Sequence, residues 1–269
     1  MADPVYGRTL KPGSLSQLTR FTRGWQDQMA LFLLPLATQD IFYKFYDFEN
    51  DTINSDFTVN NAGGTSVSSF AASTSLEYGQ LTGSTGTSND ATAAIAISWD
   101  LIAMDAARNP GILARIKCDA VNNMMLEVTI SDAPTATDAA TWNDEDTPSL
   151  ASNGQTDATS IVVDTAETNK SFQLISIGTT DSTATAAALS AATTTAGDPM
   201  AAGVFSTFLL QCGSRRSYAN IDGKASNEAR LAIGMDTAIP LTPQILCVAK
   251  SATAVVVTID YLAIWCNRE

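Results

Sequence analysis

The stretch Ala254–Asn267, AVVVTIDYLAIWCN, decides the fold. Val255, Val256 and Val257 open it, and Ile259, Tyr261, Ala263 and Trp265 recur at every second position. Leu262 and Ile264 add apolar side chains to the opposite face. A period of two marks an extended strand, because successive side chains leave a strand on opposite faces. A strand apolar on both faces belongs inside a sheet or under cover on both sides. Most of the preceding chain is therefore expected to form sheets that receive it.

Working outward, Gly111–Asp132 shows the clearest alternation. GILARIKCDA and MMLEVTISDA flank Val121-Asn122-Asn123 and are expected to pair as a hairpin. Leu113, Arg115, Lys117 and Asp119 share one face, and Ile112, Ala114, Ile116 and Cys118 the other. Ile41–Phe48 reads as a strand, glycines from Gly63 to Gly86 punctuate short strands, and Ala91–Asp100 alternates again. Asn109-Pro110-Gly111 and Asp222-Gly223 read as turns. Further strands are expected at Ser160–Asp164, Ser171–Ile177, Val204–Gln211, Arg215–Ile221, Ala229–Ile233 and Gln244–Lys250. Pro134–Ser160 is polar and reads as a long excursion. Thr179–Gly203 is low in complexity. Alanine favours a helix at Ala184–Ala192, but the threonine density opposes it, so a surface loop with at most one helical turn is expected. About a dozen short strands without a long amphipathic helix predict an all-β, antiparallel two-sheet jelly-roll sandwich. It would span residues 38–269, after an extended N-terminal arm at 1–37.

Composition bounds the function. The chain has 269 residues, 45% of them apolar, and a formal net charge of −13. Such an acidic body disfavours nucleic acid and anionic membranes as partners. The first 25 residues run against this trend, with Arg8, Lys11, Arg20 and Arg23 opposed by Asp3 alone. Two readings of this basic segment stand: an arm docked on an acidic neighbouring subunit, or a solvated terminus. Four cations make too few phosphate contacts for firm nucleic-acid binding. Trp25 anchors either its own domain or a partner's pocket, and Leu31, Phe32 and Leu33 supply further apolar anchors. Met29–Ala37 is too short, and too broken by Pro35, for a signal or a membrane span.

The sequence contains no histidine. That removes Ser-His-Asp and Cys-His nucleophiles and any His-ligated metal. Cys118, Cys212, Cys247 and Cys266 lack C-x-x-C spacing, and three of them sit in apolar strand-like runs, where free buried thiols are expected.

Taken in order, FYDFENDTINSDFTV, NPGILARIKCDAVNNMMLEVTISDA, RRSYANIDGKAS and VVVTIDYLAIWCNRE resemble bacteriophage virion proteins with a concanavalin-A-like, laminin-G-type jelly roll. The resemblance covers roughly residues 41–132 and 205–269. It implies a capsid decoration (cement) protein or head fibre that binds the major capsid protein and self-associates as a dimer or trimer. It further implies a place on the virion surface after synthesis in a host cytoplasm. Fold alone does not fix function, so glycan binding for host attachment is carried as the alternative.

Catalysis is not expected on this reading, and no cofactor is. Jelly-roll glycosidases that resemble the chain carry Glu-x-Asp-x-x-Glu on one strand, and Asp47-Phe48-Glu49-Asn50-Asp51 does not fit that spacing. Asp47, Glu49 and Asp51 would line one strand face, as a solvated end or a calcium site. Asn143-Asp144-Glu145-Asp146 reads as an acidic surface loop without EF-hand spacing. Trp99, Trp142 and Trp265 read as core residues before sugar platforms. Asp260 is expected to hydrogen-bond a neighbouring strand or loop.

Overall fold

The computed structural model describes residues 41–48, 53–62, 67–73, 79–87, 93–99, 104–134, 142–143, 149–150, 155–166, 171–178, 181–188, 200–224, 227–232 and 235–267. The strands in chain order are β1 (Ile41–Tyr46), β2 (Phe57–Ala62), β3 (Ser68–Ala72), β4 (Leu81–Ser84), β5 (Ala94–Trp99) and β6 (Gly111–Cys118). There follow β7 (Met124–Ser131), β8 (Trp142–Asn143), β9 (Ser149–Leu150), β10 (Ala158–Asp164), β11 (Gln173–Gly178) and β12 (Asp181–Ala188). The last are β13 (Ser206–Cys212), β14 (Ser217–Ile221), β15 (Glu228–Leu231), β16 (Thr242–Ala249) and β17 (Val256–Asn267).

Two antiparallel sheets form the sandwich. The eight-stranded sheet runs β15-β14-β13-β6-β17-β4-β3, with β1 also paired to β17. The seven-stranded sheet runs β12-β11-β10-β7-β16-β5-β2. The expected all-β jelly-roll architecture is therefore the observed one.

β17 holds its sheet together, as its two apolar faces require. One edge pairs with β6 from Val257 to Trp265. The other is shared end to end by β4, along Val256–Ile259, and β1, along Leu262–Asn267. The strict alternation expected from Ile259 to Trp265 is broken by a register shift between Ile259 and Tyr261. A bulge adds one residue and reverses the facing of the residues beyond it. Val257, Ile259, Leu262 and Ile264 thus all enter the main core, while Tyr261, Ala263 and Trp265 form a separate cluster with Leu113.

The fold departs from the sequence expectation in two further places. β6 and β7 do not pair as a hairpin. β6 pairs with β13 and β17, whereas β7 pairs with β10 and β16 in the other sheet. The connection through Asp119–Asn123 arches across the sandwich, with Asn123 at φ 52°. β7 is buried along its whole length, and a strand with no wet face needs neighbours on both edges and cover on both faces. The second departure is Asp181–Ala188, read as loop or helical turn. It forms β12, antiparallel to β11, because an available sheet edge outweighs weak local propensity.

The main core lies between the sheets. Ile95, Ile97 and Trp99 of β5, Ile112 and Ile116 of β6, Leu126, Val128 and Ile130 of β7, and Phe208 of β13 meet there. Each such side chain contributes roughly 1.5–3 kcal/mol on burial. A second apolar cluster, Ala94, Ala96, Met125, Val162, Ile175, Leu246 and Val248, occupies the other face of the seven-stranded sheet.

Candidate functional site

Two polar groupings carry the chemistry visible in the sandwich. The first sits where β6 meets β17. Asp260, beside the β17 bulge, accepts from Arg115 Nη1 at 2.5 Å and from Gln80 Nε2 at 3.1 Å. Arg115 also lies over the Phe205 ring, 4.5 Å from its centroid, and Lys117 approaches the same ring at 4.7 Å. The bond expected of Asp260 to a neighbouring strand is thus present, and its partner is a cation. Burial raises the Tyr261 hydroxyl well above the usual phenol range, so this ring stays neutral. Tyr261 packs against Phe45 with ring centroids 5.7 Å apart. Among the described residues, Phe45 and Tyr43 of β1 are two of the few large apolar side chains left exposed, at 43% and 37%. Trp265 is buried, lying over Gly111 of β6.

The second grouping lies on β7, the middle strand of the seven-stranded sheet. Its residues Met125, Glu127, Thr129 and Ser131 alternate onto the face away from the main core. Ser98, Gln244, Thr129 and Ser160 are successive cross-strand partners there. Ser160 Oγ donates to Thr129 Oγ1 at 2.8 Å. Glu127 is flanked by Leu246 and Val162 and has no exposed surface. Just past the strand, Asp132 accepts from both the backbone N–H and the hydroxyl of Thr156. Glu127, Thr129 and Asp132 occupy the first, third and sixth places of a Glu-x-Asp-x-x-Glu spacing, with carboxylates at the first and sixth.

The residues singled out in the sequence fare unevenly. Arg8, Lys11, Arg20, Arg23, Trp25, Leu31, Phe32 and Leu33 all lie outside the described residues, as do Glu49, Asp51, Asp144, Glu145 and Asp146. Asp47 is exposed. Trp99 is buried, as expected, and donates to the Tyr46 hydroxyl at 2.6 Å. None of the four cysteines is joined in a disulfide, and all four are buried. Among the described residues, no group of three or more His, Cys, Asp or Glu side chains is placed to hold a metal, and no helix is long and apolar enough to cross a membrane. Sequence reasoning missed Glu127 and Asp132, which it placed in a half-buried hairpin. The signal was present: a lone glutamate inside the apolar run MMLEVTIS.

No protein-family model and no curated protein matches the sequence. The fold itself has many solved counterparts. The catalytic domain of an endo-1,3-beta-glucanase (laminarinase) from Thermotoga petrophila RKU-1 superposes with TM-score 0.52 at 10% identity, over 86% of this chain and 100% of that one. LamAcat from Zobellia galactanivorans gives TM-score 0.52 at 10% identity, over 82% of this chain and 96% of that one. The carbohydrate recognition domain of Emp47p gives 0.51 at 7%, over 82% of this chain and 92% of that one. At these identities the likeness is one of fold, a concanavalin-A-like sandwich.

The expectation of no catalysis is corrected by these counterparts. It rested on the resemblance to virion proteins and on the spacing around Glu49. This sandwich is the scaffold of the catalytic domain of an endo-1,3-beta-glucanase. Glycoside hydrolysis runs on carboxylates and needs no histidine.

Proposed function

We propose that this chain is a surface protein of a bacteriophage particle. Its jelly-roll body is held on the major capsid protein through residues 1–37 and self-associates as a dimer or trimer. The observation that supports this reading is the bond between Arg115 and Asp260. These residues come from two of the sequence motifs that resemble virion jelly rolls, and they meet on neighbouring strands. The opposition of a basic leading segment to an acidic body gives the docking a physical cause. Deleting residues 1–28 is expected to abolish binding to particles lacking the protein, while circular dichroism and melting of the sandwich stay unchanged. Undiminished binding would overturn the capsid reading.

A second reading, carbohydrate binding, is favoured by the fold shared with a carbohydrate recognition domain and with an endo-1,3-beta-glucanase catalytic domain. On this reading the exposed rings of Tyr43 and Phe45 stack on pyranose faces. A glycan array separates the two: binding that survives loss of residues 1–28 and disappears in Y43A/F45A supports the second. Release of reducing ends from β-1,3-glucan, compared between the native protein and E127Q, measures hydrolysis in the same preparations.

A further inference from the structure

One row of side chains crosses the outer face of the eight-stranded sheet, from β1 over β17 and β6 to Phe205, just before β13. Phe45 is opposite Ala263, Ala263 is opposite Leu113, and Tyr261 is opposite Arg115. The exposed rings of Tyr43 and Phe45 therefore share this face with Arg115 and Lys117. β1 and β6 flank β17, so the rings and the cations stand two strand spacings apart, about 10 Å.

Polar groups gather at the β6 end. Arg115 is paired with Asp260, whereas Lys117, whose ammonium lies over Phe205, has no carboxylate partner among the described residues. Asp222 accepts from the Thr207 N–H, across from Arg115, and is offset by Lys224 at 3.8 Å. Gln80 gives its Nε2 to Asp260, while its Oε1 is a buried acceptor that no described group meets.

We propose, resting on the carbohydrate reading, that this strip binds an acidic saccharide, a chain whose pyranose units carry carboxylates. A pyranose lays its C–H face on Tyr43 or Phe45. Units further along the chain reach β6, where Lys117 supplies a point charge and Arg115 keeps N–H donors beyond the one given to Asp260. The strip also holds acceptors, Asp260 and Gln80 Oε1, which call for donors. An acidic saccharide brings carboxylates and hydroxyls together, whereas an acidic peptide serves the cations and offers few donors. The net charge of −13 repels anions elsewhere on the body, which confines such a ligand to this strip.

The test is a glycan array probed with the full chain. It carries uronate- and sialate-containing oligosaccharides beside the same glycans with their carboxyls reduced to alcohols. Acidic forms are expected to bind, and the reduced forms to bind roughly tenfold more weakly, the loss of one charge-assisted bond. K117Q and F45A should each weaken the acidic glycan by a similar factor in calorimetric titration, with circular dichroism and melting as in the native chain. If K117Q does not fold, the comparison of acidic with reduced glycans on the native chain decides alone. Equal binding of acidic and reduced forms, or acidic binding untouched by K117Q, would overturn the site and leave the carbohydrate reading standing. Silence across the whole array would overturn both. Polyglutamate competing as strongly as the acidic glycan would make the strip a surface for acidic peptides and overturn the saccharide assignment.

Discussion

The Tyr46 hydroxyl donates to the Asp56 carboxylate at 2.7 Å while accepting from Trp99 Nε1 at 2.6 Å. Lys44 completes the arrangement with its ammonium 3.1 Å from the same carboxylate. Tyr46 is thus the centre of a chain linking β1, the turn before β2, and β5. Removing its hydroxyl leaves the indole N–H without an acceptor in a buried setting. Y46F is expected to cost about 1–3 kcal/mol, because an unmet buried donor bears its full desolvation penalty. The denaturant midpoint should fall with an unchanged slope.

The same arrangement predicts an acid response. Burial pushes the Asp56 carboxyl up, but the bonds from Tyr46 and Lys44 outweigh it and hold the group below its ordinary value. A carboxylate depressed in the folded state adds stability above its unfolded pKa, about 4, and that stability is lost as pH falls through the folded value. Native stability should therefore drop below about pH 4. D56N should be less stable at neutral pH and lose less on acidification, measured as unfolding free energy against pH.

Gly111 has no room for a side chain. A Cβ there would run into Cζ2 and Cε2 of Trp265. G111A must push the indole away from β6, at about 1–3 kcal/mol from overpacking. The displaced ring should also shift tryptophan emission, a readout that a plain loss of stability would not give in the folded state.

Lys250 and Asp164 form a deeply buried ion pair, 3.4 Å apart with side-chain exposures of 6% and 0%. Truncating one member strands the other, so K250M should cost roughly 3–5 kcal/mol. The double variant K250M/D164L should recover much of that loss, and a double-mutant cycle by chemical denaturation measures the coupling.

Much of this architecture was legible because alternation reports local burial directly. Ile112, Ala114 and Ile116 enter the core as their spacing demanded, and Asn109 and Asp222 take the left-handed conformations expected of turn residues. Sheet membership was not legible. Whether β6 turns back on β7 or crosses to the other sheet depends on which distant strands claim each edge, and no local pattern encodes that. The bulge at Asp260 was hidden for a related reason: an inserted residue leaves the composition of β17 unchanged while reversing its faces. Glu127 was marked locally only as a lone carboxylate in an apolar run; the side chains that flank it, Leu246 and Val162, are remote in sequence.

The pairing of Ile41 with Asn267 has a kinetic side. Ladder contacts between residues so far apart in sequence must overcome a large loop-closure entropy before they return any enthalpy. Refolding should accordingly be slow, in the millisecond-to-second range or beyond, and limited by the docking of β17 between β1 and β6. Until that clasp shuts, both halves of the eight-stranded sheet present raw hydrogen-bonding edges. Aggregation during refolding should therefore compete hardest in chains truncated before Val256.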